Sequence, residues 1–508
     1  MRLKRTKLVV ILAATAMALT ATPSPGQEEA PEEPNILVII TDDQRAGETM
    51  AAMPKTQQWL PVDYAQAYAT TPLCCPSRAS IFTGRYAHNH GVTRLGGAEL
   101  DHSTTIQALL GDEGYRTAFF GKYMTAYPTT DPLPEFDRYA FTGFDWRYYD
   151  ATWGHNMLPS GAEVEHRVAE LSGYSTSLVG RYGETFIETT DEPWLMYLAP
   201  HAPHRPYIPQ HKYADAPVGP WAGNPGVFEA APSHRIRYRA KTQNRWLTPA
   251  MTIDRLGRWI RRNGLVIRRR LRTASISIER VEVFKPNLAD KPPYIRKARR
   301  LTLEQAQEIR RQQLRMLMSV DDMVDRVMRK LEENGELDNT LVVFISDNGY
   351  MWGEHGRRGK LTPYRESIQV PMRARFPGLS PKDGIVANID IAPTALEVAG
   401  LPIPSTMDGH SLVDAGWPGR SQILTEHWCT TSPGTCFRWA SVRHVSGWQY
   451  VENYDDQGQL TFREYYREDD PYQLQNAIRD GDPATTPSSE TLTSLSAWIR
   501  DQGYEPVP

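Results

Sequence analysis

The sequence predicts an α/β fold in which a mostly parallel sheet is flanked by helices. Several apolar runs are continuous rather than alternating, as strands buried on both faces should be, and Asn35–Thr41 (NILVIIT) is the clearest example. A long amphipathic segment also precedes the last of these runs. Helix-then-strand order of this kind favours parallel pairing in a sheet that is covered on both sides.

Four of the apolar runs end in polar residues whose side chains could bind a ligand or take part in catalysis. Ligands of open α/β sheets bind at the carboxyl ends of the strands, so we expect these polar side chains to share one crevice. The runs and their polar ends are Asn35–Thr41 with Asp42 and Asp43, Thr117–Phe120 with Lys122, Trp194–Leu198 with His201 and His204, and Thr340–Ser346 with Asp347 and Asn348.

A helix is predicted between the last two runs, because apolar residues recur there at helical spacing and Gly335 can close it. Its apolar face consists of Ile309, Leu314, Leu317, Val320, Val324, Val327 and Leu331.

The C-terminal part of the chain has a different pattern. Short runs rich in Tyr, Trp and Val, such as Gly447–Tyr454, alternate with turns such as Asp455–Gly458. This pattern predicts a smaller α+β subdomain that contains a short antiparallel sheet. The predicted division is therefore a main domain over residues 34–412 and a C-terminal subdomain over residues 413–508.

Residues 1–22 are typical of a secretory signal peptide, since four basic residues precede the apolar run Leu8–Leu19. Residues 23–33 are rich in Pro and Glu and predict a linker. The apolar run is too short to span a bilayer, and no later segment is long and apolar enough. The mature protein is therefore expected to be secreted or periplasmic, without stable membrane insertion. The net charge of −3 gives no indication of nucleic-acid binding.

The chain has four cysteines. Cys429 and Cys436 lie close together in a loop and could form a disulfide. Cys74 and Cys75 are adjacent, which disfavours a bridge between them and points to another use for at least one. They precede a predicted helix over residues 79–85, and a helix N-terminus beside Arg78 favours an anion or a reactive thiol. Either cysteine is thus a candidate nucleophile.

Asp42, Asp43, Asp347 and Asn348 would bring three carboxylates and one amide oxygen together. Carboxylates at close range repel one another and take up protons unless a cation neutralises them. An all-oxygen set of ligands suits calcium or magnesium rather than zinc. The alternative is that the two acidic pairs are unrelated, solvated turns.

The segment around Cys74 resembles the signature of the formylglycine-dependent (type I) sulfatases. Cys74–Arg78 (CCPSR), continuing to Thr83–Arg85, is similar to the family signature in which the first cysteine is oxidised to 3-oxoalanine (formylglycine). Other segments resemble further family motifs in the family order, namely Gly114–Thr117, Gly121–Lys122, His201–His204, Lys360–Tyr364, Asp408–Leu412 and Tyr466–Asn476.

The resemblance implies an alkaline-phosphatase-like fold and hydrolysis of aryl or sugar sulfate monoesters. A hydrated aldehyde at position 74 would be the nucleophile, and one divalent cation, calcium or alternatively magnesium, would lie beside it. The implied cation ligands are Asp42, Asp43, Asp347, Asn348 and the modified Cys74. The implied catalytic residues are Cys74 as nucleophile, Arg78 on the diol, Lys122 and Lys360 on sulfate oxygens, and His204 as proton donor.

The implied partners are a sulfate ester, which could belong to a sulfated glycan, and a formylglycine-generating enzyme for maturation. One position departs from the common pattern. Many members have a histidine two residues after the lysine that corresponds to Lys122, whereas this chain has Met124. The local sequence is closer to the arylsulfatase and N-acetylglucosamine-6-sulfatase branch. His88, His90 and His355 are candidates for the missing base.

A basic insertion over about residues 234–280 interrupts the family pattern, with many Arg and Lys residues and few acids. It predicts either a lobe that attracts a sulfated polysaccharide, for which Arg268–Arg270 would be central, or a surface insertion without a role in catalysis.

Two alternative functions remain open at this point. One is a phosphate or phosphonate monoester hydrolase of the same superfamily, because phosphate and sulfate esters share tetrahedral geometry. The other is a non-catalytic glycan-binding relative. The completeness of the candidate site argues against the second alternative.

Overall fold

The structure, a computed structural model, describes residues 33–143, 145–227, 237–242, 245–246, 277–281, 288–297, 300–428 and 437–506. The predicted signal peptide, nearly all of the predicted linker, Arg268–Arg270, Cys429 and Cys436 lie outside these ranges. In the basic insertion the described residues are three short antiparallel strands.

The strands in chain order are β1 (Asn35–Thr41), β2 (Val62–Asp63), β3 (Ala67–Tyr68), β4 (Arg116–Lys122), β5 (Arg138–Thr142), β6 (Tyr149–Met157), β7 (Glu163–Tyr174), β8 (Trp194–Ala199), β9 (Arg237–Thr242), β10 (Arg245–Trp246), β11 (Ser277–Val281), β12 (Thr340–Ser346), β13 (Met351–Trp352), β14 (Arg358–Gly359), β15 (Met372–Arg375), β16 (Val386–Ala387), β17 (Gln422–His427), β18 (Arg438–His444), β19 (Gln449–Tyr454) and β20 (Leu460–Tyr466). The α-helices are α1 (Pro54–Trp59), α2 (Cys74–Thr83), α3 (Ala87–His90), α4 (Ile106–Asp112), α5 (Ser175–Glu188), α6 (Pro293–Arg296), α7 (Leu303–Glu333), α8 (Arg365–Ile368), α9 (Ile391–Val398) and α10 (Ser489–Asp501).

The main sheet has nine strands in the order β2-β15-β12-β1-β8-β4-β5-β6-β7. Its five central strands, from β12 to β5, are parallel, and both flanks are antiparallel. The sheet is therefore mixed, with the predicted parallel arrangement at its centre. The flanking strands differ because they are short or alternate in burial, as β7 does along an exposed edge.

Helices cover both faces of the parallel centre, as predicted. The long helix α7 and α5 pack with one face through residues such as Leu317, Val324 and Phe186. The other face packs against α2, α4 and α9, with Phe82 and Leu110 among the buried residues. All seven apolar residues that predicted α7 are buried, and Gly335 follows the helix with a positive φ of 78°.

The helix of the cysteine segment begins earlier than predicted. It starts at Cys74 rather than near Ala79, and it ends at Thr83 because Gly84 takes the left-handed conformation, with φ 67°. Pro76 fits inside the first turn because the amide groups there have no partner within the helix. The shift places Cys74 at the first helical position.

The C-terminal sheet is four-stranded and antiparallel, in the order β17-β18-β19-β20. Its buried face packs with α10 and with the main body through residues such as Trp439, Tyr450 and Ile499. The predicted fold class is therefore confirmed in both parts. No α-helix in the described ranges is both long and apolar enough to cross a lipid bilayer.

Candidate active site

The polar ends of four parallel strands meet at one edge of the sheet. Register explains this, because Thr41 of β1 pairs with Ser346 of β12, and Gly121 of β4 pairs with Ala199 of β8. The residues that follow these strands are therefore brought side by side. The cluster consists of Asp42, Asp43, Cys74, Arg78, Lys122, His201, His204, Asp347, Asn348 and Lys360, so the structure brings together every predicted catalytic and cation-binding residue.

Four side chains of the cluster offer oxygen atoms to a cation. Asn348 Nδ2 donates to Asp43 Oδ1 at 2.7 Å, and the Asp43 backbone N–H donates to Asp347 Oδ1 at 3.3 Å. The ammonium group of Lys360 lies among the same oxygens, 2.5 Å from Asp43 Oδ1 and 3.0 Å from Asn348 Oδ1. This set of oxygens therefore already holds a positive charge.

The carboxylates of the cluster differ in their protonation. Burial, together with the charge of Asp42, raises the pKa of Asp347 to about 6 despite the opposing effect of Arg78. Burial also acts to raise the pKa of Asp42, but Lys122, His204 and Lys360 outweigh it and hold that pKa well below its ordinary value. Asp42 is thus ionised, and Asp347 depends most on a neighbouring positive charge.

Arg78 links the acidic residues to β4. Its side chain is fully buried, with Nε donating to Asp347 Oδ2 at 2.9 Å and Nη1 donating to the backbone carbonyl of Lys122 at 2.5 Å. Its remaining nitrogen, Nη2, is buried and has no hydrogen-bond partner in the described part of the chain. Since an unpaired buried donor is costly, a hydrogen-bond acceptor is needed beside it.

The thiol of Cys74 lies at the centre of the cluster and is 3 % exposed. Its Sγ is 2.7 Å from Lys360 Nζ and 3.6 Å from Asp42 Oδ1. Burial raises the pKa of the thiol to about 12, although Lys122 and Lys360 act in the opposite direction. A neutral thiol is a poor nucleophile, so the site does not activate Cys74 as a thiolate.

Lys122 and the two histidines surround Asp42. The Lys122 ammonium group donates to Asp42 Oδ2, and His201 Nε2 lies 3.7 Å from the same oxygen. His204 Nε2 lies 3.8 Å from Asp43 Oδ2, and its Nδ1 lies 2.5 Å from the Arg205 carbonyl. Because a carbonyl only accepts, Nδ1 of His204 carries a proton, and Nε2 is the nitrogen that faces the cluster.

Both histidines are buried, and burial lowers the pKa of each below its ordinary value. Asp42, His201 and His204 are close enough to form a second group of metal ligands. A mixed nitrogen and oxygen set of this kind suits zinc. However, Asp42 belongs to both groups, and the two histidine nitrogens His201 Nε2 and His204 Nδ1 already face each other at 3.1 Å. The all-oxygen group is therefore the better cation site.

The weaker histidine candidates do not join the cluster. His88 Nδ1 pairs with Glu426 Oε2 at 2.8 Å, and His90 Nε2 pairs with Ser80 Oγ at 3.1 Å. His355 stacks on the ring of Tyr364, with 3.9 Å between ring centroids. These contacts give all three a structural role, so the prediction that one of them replaces the histidine missing at Met124 gains no support.

Two residues that the sequence did not indicate hold the site in place. Gln313 of α7 donates to the Pro203 carbonyl at 3.2 Å and accepts from Trp352 Nε1 at 2.5 Å. The Tyr148 hydroxyl donates to the carbonyls of His201 and His204 at 3.0 and 2.6 Å. A polar residue inside the apolar face of α7 was a usable signal for Gln313. Tyr148 had no comparable signal.

A cavity of about 930 Å³ is lined by none of the residues of the cluster. Its charged walls are paired internally, since Arg365 contacts Glu366 at 3.1 Å and Arg373 contacts Asp63 at 3.0 Å. This cavity is therefore distinct from the place where the groups of the cluster meet.

A protein-family model described as "Sulfatase" matches residues 34–401. The chain belongs to the sulfatase family. A second model, "N-sulphoglucosamine sulphohydrolase, C-terminal", matches residues 353–493 of the chain and so includes the C-terminal sheet.

Curated sulfatases are similar over most of the chain. The extracellular sulfatase SULF-1 homolog of Drosophila melanogaster is 27 % identical over 415 residues, which are 78 % of this chain and 32 % of the relative. The N-acetylglucosamine-6-sulfatase of Homo sapiens is 28 % identical over 509 residues, 89 % of this chain and 82 % of the relative. The chain thus spans about a third of the first relative and most of the second.

Solved structures agree in fold. BT4656, in complex with its substrate D-glucosamine-2-N,6-O-disulfate, has a TM-score of 0.66 at 22 % identity and covers 92 % of this chain and 97 % of its own. The phosphonate monoester hydrolase SpPMH from Silicibacter pomeroyi has a TM-score of 0.57 at 21 % identity, with coverage of 93 % and 96 %. At these identities the likeness establishes the fold class alone.

Proposed function

We propose that the protein hydrolyses sulfate monoesters of sugars, with residue 74 as the nucleophile after oxidation of Cys74 to 3-oxoalanine. The arrangement around Cys74 is the observation that carries this proposal. Cationic and acidic groups converge on a side chain whose thiol is held neutral by burial. Such a site suits an oxygen nucleophile and an anionic substrate better than it suits thiolate chemistry.

The surroundings of residue 74 suit a hydrated aldehyde side chain. When present, the hydrated aldehyde supplies one hydroxyl group for attack on sulfur and a second from which sulfate is released. The unpartnered Nη2 of Arg78 supports this assignment, because it is a buried donor in the same cluster. Arg78 would hold the diol while its Nε stays on Asp347.

The remaining cations of the cluster would bind the substrate. Lys122 and Lys360 are both protonated, since burial lowers their pKa values less than the neighbouring acids raise them. Their positive charges would bind sulfate oxygens and balance charge that develops on the leaving oxygen. His204, whose Nε2 faces the cluster, would donate a proton to that oxygen in its imidazolium form.

The four-oxygen group fits one hard divalent cation, with calcium first and magnesium as the alternative. Asp42, Asp43, Asp347 and Asn348 would hold it together with the modified residue 74. The contact of Lys360 with two of these oxygens supports the fit, because a positive charge is already accommodated there. When bound, the cation supplies charge that acidifies a hydroxyl group and neutralises the carboxylates.

The relatives suggest the biological setting. Several are named N-acetylglucosamine-6-sulfatases, and others are named extracellular sulfatases. We therefore propose a sulfated sugar, free or within a glycan, as the substrate, and action outside the cytoplasm. We also propose a formylglycine-generating enzyme as the maturation partner.

Adjacent cysteines provide a matched test. Cys74→Ala should lower kcat/KM for 4-nitrophenyl sulfate by at least about 1000-fold, because the nucleophile is lost. Cys75→Ala should keep kcat/KM within about threefold, because the Cys75 thiol only bonds the backbone of Thr125. Both variants should be co-expressed with the maturation enzyme, and peptide mass spectrometry should find the aldehyde in Cys75→Ala and in the wild type.

Equal activity in the Cys74→Ala variant and the wild type would rule out the proposed nucleophile. A kcat/KM for 4-nitrophenyl phosphate above that for the sulfate would instead favour the phosphate hydrolase alternative. Full occupancy by the aldehyde without release of sulfate from any ester would favour a glycan-binding relative.

A further inference from the structure

Trp146 provides a partly exposed aromatic surface next to the catalytic cluster. It lies in the segment between β5 and β6 and is half-buried. Its ring meets the His204 ring edge-on, with 5.6 Å between centroids and 70° between planes. Because His204 Nε2 is 3.8 Å from Asp43 Oδ2, Trp146 extends the site outward from the groups that would act on the sulfate.

Arg205 lies on the outer side of this surface. Its guanidinium carbon is 5.5 Å from the centroid of the Trp146 ring, and the side chain is exposed. Trp146 therefore contacts both a catalytic histidine and an exposed cation. A guanidinium over the face of an aromatic ring keeps the N–H donors in its own plane, where they can meet a planar or tetrahedral anion.

Arg205 has no acidic partner in the described ranges, unlike exposed arginines such as Arg147 and Arg467. Arg147, two residues from Asp145, is 2.7 Å from that carboxylate, and Arg467 is 3.0 Å from Asp469. An unpaired guanidinium beside the active site is available to a ligand.

A second exposed arginine, Arg358, contributes positive charge to the same region. It lies on β14, just before Lys360 in the chain, and it too forms no ion pair with any described residue. The charges of Arg358, Arg205 and Asp43 all act on the hydroxyl of Tyr207, which bonds to the Tyr350 hydroxyl at 2.5 Å. Two exposed arginines that form no ion pair with any described residue therefore lie within electrostatic range of Tyr207.

We propose that Trp146 and Arg205 form the recognition surface for the sugar that carries the scissile sulfate, and that Arg205 binds a second anionic group of that substrate. This inference rests on the proposed function and specifies its substrate class. The aromatic face would pack against the apolar face of a pyranose ring. The guanidinium would pair with a further sulfate on the same sugar or with the carboxylate of a neighbouring uronate.

Comparison of singly and doubly charged substrates tests the role of Arg205. Glucosamine 6-sulfate, glucosamine-2-N,6-O-disulfate and a disaccharide of a uronate with glucosamine 6-sulfate would be assayed at low salt. If the second anion is a sulfate, Arg205→Gln should raise KM about tenfold for the disulfate; if it is a carboxylate, KM should rise about tenfold for the uronate disaccharide. A tenfold change corresponds to the loss of one charge-assisted contact. The kcat for all substrates and the KM for glucosamine 6-sulfate should stay within about twofold.

Arg479→Gln is a matched control. Arg479 is also exposed and lies over an aromatic ring, 4.1 Å from the centroid of Phe462, but it is in a turn after the C-terminal sheet. This variant should leave KM unchanged for every substrate. Arg205→Lys should recover part of the lost affinity, because it restores the charge without the planar fork.

Trp146→Phe and Trp146→Ala examine the aromatic surface. The alanine variant should raise KM about tenfold for all three sugars because the ring contact is lost, and phenylalanine should restore most of the affinity because it keeps an aromatic ring there. A fall in kcat without a change in KM would mean that Trp146 only orients His204, and it would overturn the role assigned to Trp146.

The outcomes separate this inference from the function on which it rests. If wild-type protein with the aldehyde at position 74 hydrolyses none of the sulfates, the proposed function fails and the inference fails with it. If the wild type hydrolyses them but Arg205→Gln changes KM equally for singly and doubly charged sugars, or not at all, only the inference is wrong. Circular dichroism would establish that each variant folds.

Discussion

Lys360 shares its oxygen partners with the proposed cation. Its ammonium group contacts Asp43 Oδ1 and Asn348 Oδ1 at 2.5 and 3.0 Å, and a divalent ion would need the same atoms. Cation binding therefore competes with this contact. Asp347 is the carboxylate most sensitive to the exchange, because burial and the charge of Asp42 raise its pKa to about 6.

This pKa predicts how cation affinity depends on pH. On the proposed assignment the ion would bind the ionised form of Asp347, and the proton would compete with it below pH 6. The dissociation constant for calcium should therefore change little above pH 7 and rise about tenfold for each pH unit below 6. Isothermal titration calorimetry of chelator-treated protein between pH 5 and 8 would measure it, with release of a fraction of a proton near pH 6.

The Asp347→Asn variant is the control for this prediction. It removes the titrating group while keeping one oxygen ligand, so its weaker calcium affinity should lose most of the pH dependence in this range. An affinity of the wild type that stays constant from pH 5 to pH 7 would contradict the assignment of Asp347 as a ligand with a raised pKa.

At the scale of single elements, Gly121 determines how closely β4 approaches β8. It has a φ of +123°, and a Cβ atom built on it would lie 2.0 Å from the carbonyl oxygen of Ala199. Lys122 follows directly and ends the strand. The close approach of these two strands therefore fixes the position of the Lys122 side chain relative to the His201 segment.

Gly121→Ala should consequently reduce both stability and activity. We expect a loss of roughly 2–4 kcal/mol in the free energy of unfolding, because backbone must move to relieve the clash. We also expect kcat/KM to fall about 100-fold, the scale of a misplacement of 1 Å in a catalytic group. Urea unfolding and steady-state kinetics would measure the two effects.

Gly114→Ala is the comparison. Gly114 also has a positive φ, +95°, and lies in the turn before β4, but no atom lies within 4 Å of its added Cβ. That variant should show only backbone strain, about 1 kcal/mol, with normal kinetics. If the two variants were equally stable and equally active, the close approach of β4 to β8 would not be needed to position Lys122.

Strands and helices could be predicted from the sequence where a single requirement, such as burial on both faces, determines the residues of a whole segment. Continuous apolar runs indicated β1, β4, β8 and β12 within a residue or two, because burial on both faces requires such runs. Periodicity and Gly335 indicated α7. The antiparallel flanks were not predicted, since strands such as β7 alternate irregularly between exposed and half-buried residues and so lack a clear period.

At the scale of the whole molecule, the C-terminal sheet supports the segment that carries Lys360. Trp439 Nε1 of β18 donates to the Leu361 carbonyl at 3.0 Å, and Gln449 Nε2 of β19 donates to the Pro363 carbonyl at 2.7 Å. The division at residue 412 remains a proposal. These bonds indicate that the two proposed parts act together, because the C-terminal sheet holds the segment that carries Lys360, a proposed catalytic residue of the first part.

Trp439→Phe tests this connection. The change removes the bond to Leu361 and should lower kcat/KM about tenfold by loosening Lys360, with a loss of about 1–2 kcal/mol in stability. Trp428→Phe is the matched control, because Trp428 is buried in the same region but its Nε1 has no hydrogen-bond partner among the described residues. Kinetic assays and thermal unfolding of both variants would measure the effects.

Equal kinetics in the two tryptophan variants would mean that the C-terminal sheet does not position Lys360. This connection also marks the limit of sequence reasoning. Strand ends that carry acids and lysines could be combined into a site because sheet topology makes them converge. A bond from an indole to a backbone carbonyl, such as that of Trp439, leaves no pattern of spacing or hydropathy in the sequence.

The burial of Cys74 has a consequence for the order of events during biosynthesis. With the side chain 3 % exposed at the start of α2, no enzyme could close around it once the polypeptide had folded. On the proposed chemistry, oxidation must happen while this stretch is still extended. Chains that fold before oxidation would keep the unmodified Cys74 thiol and would be inactive. The fraction of a preparation that carries the aldehyde would therefore show whether oxidation or folding was faster.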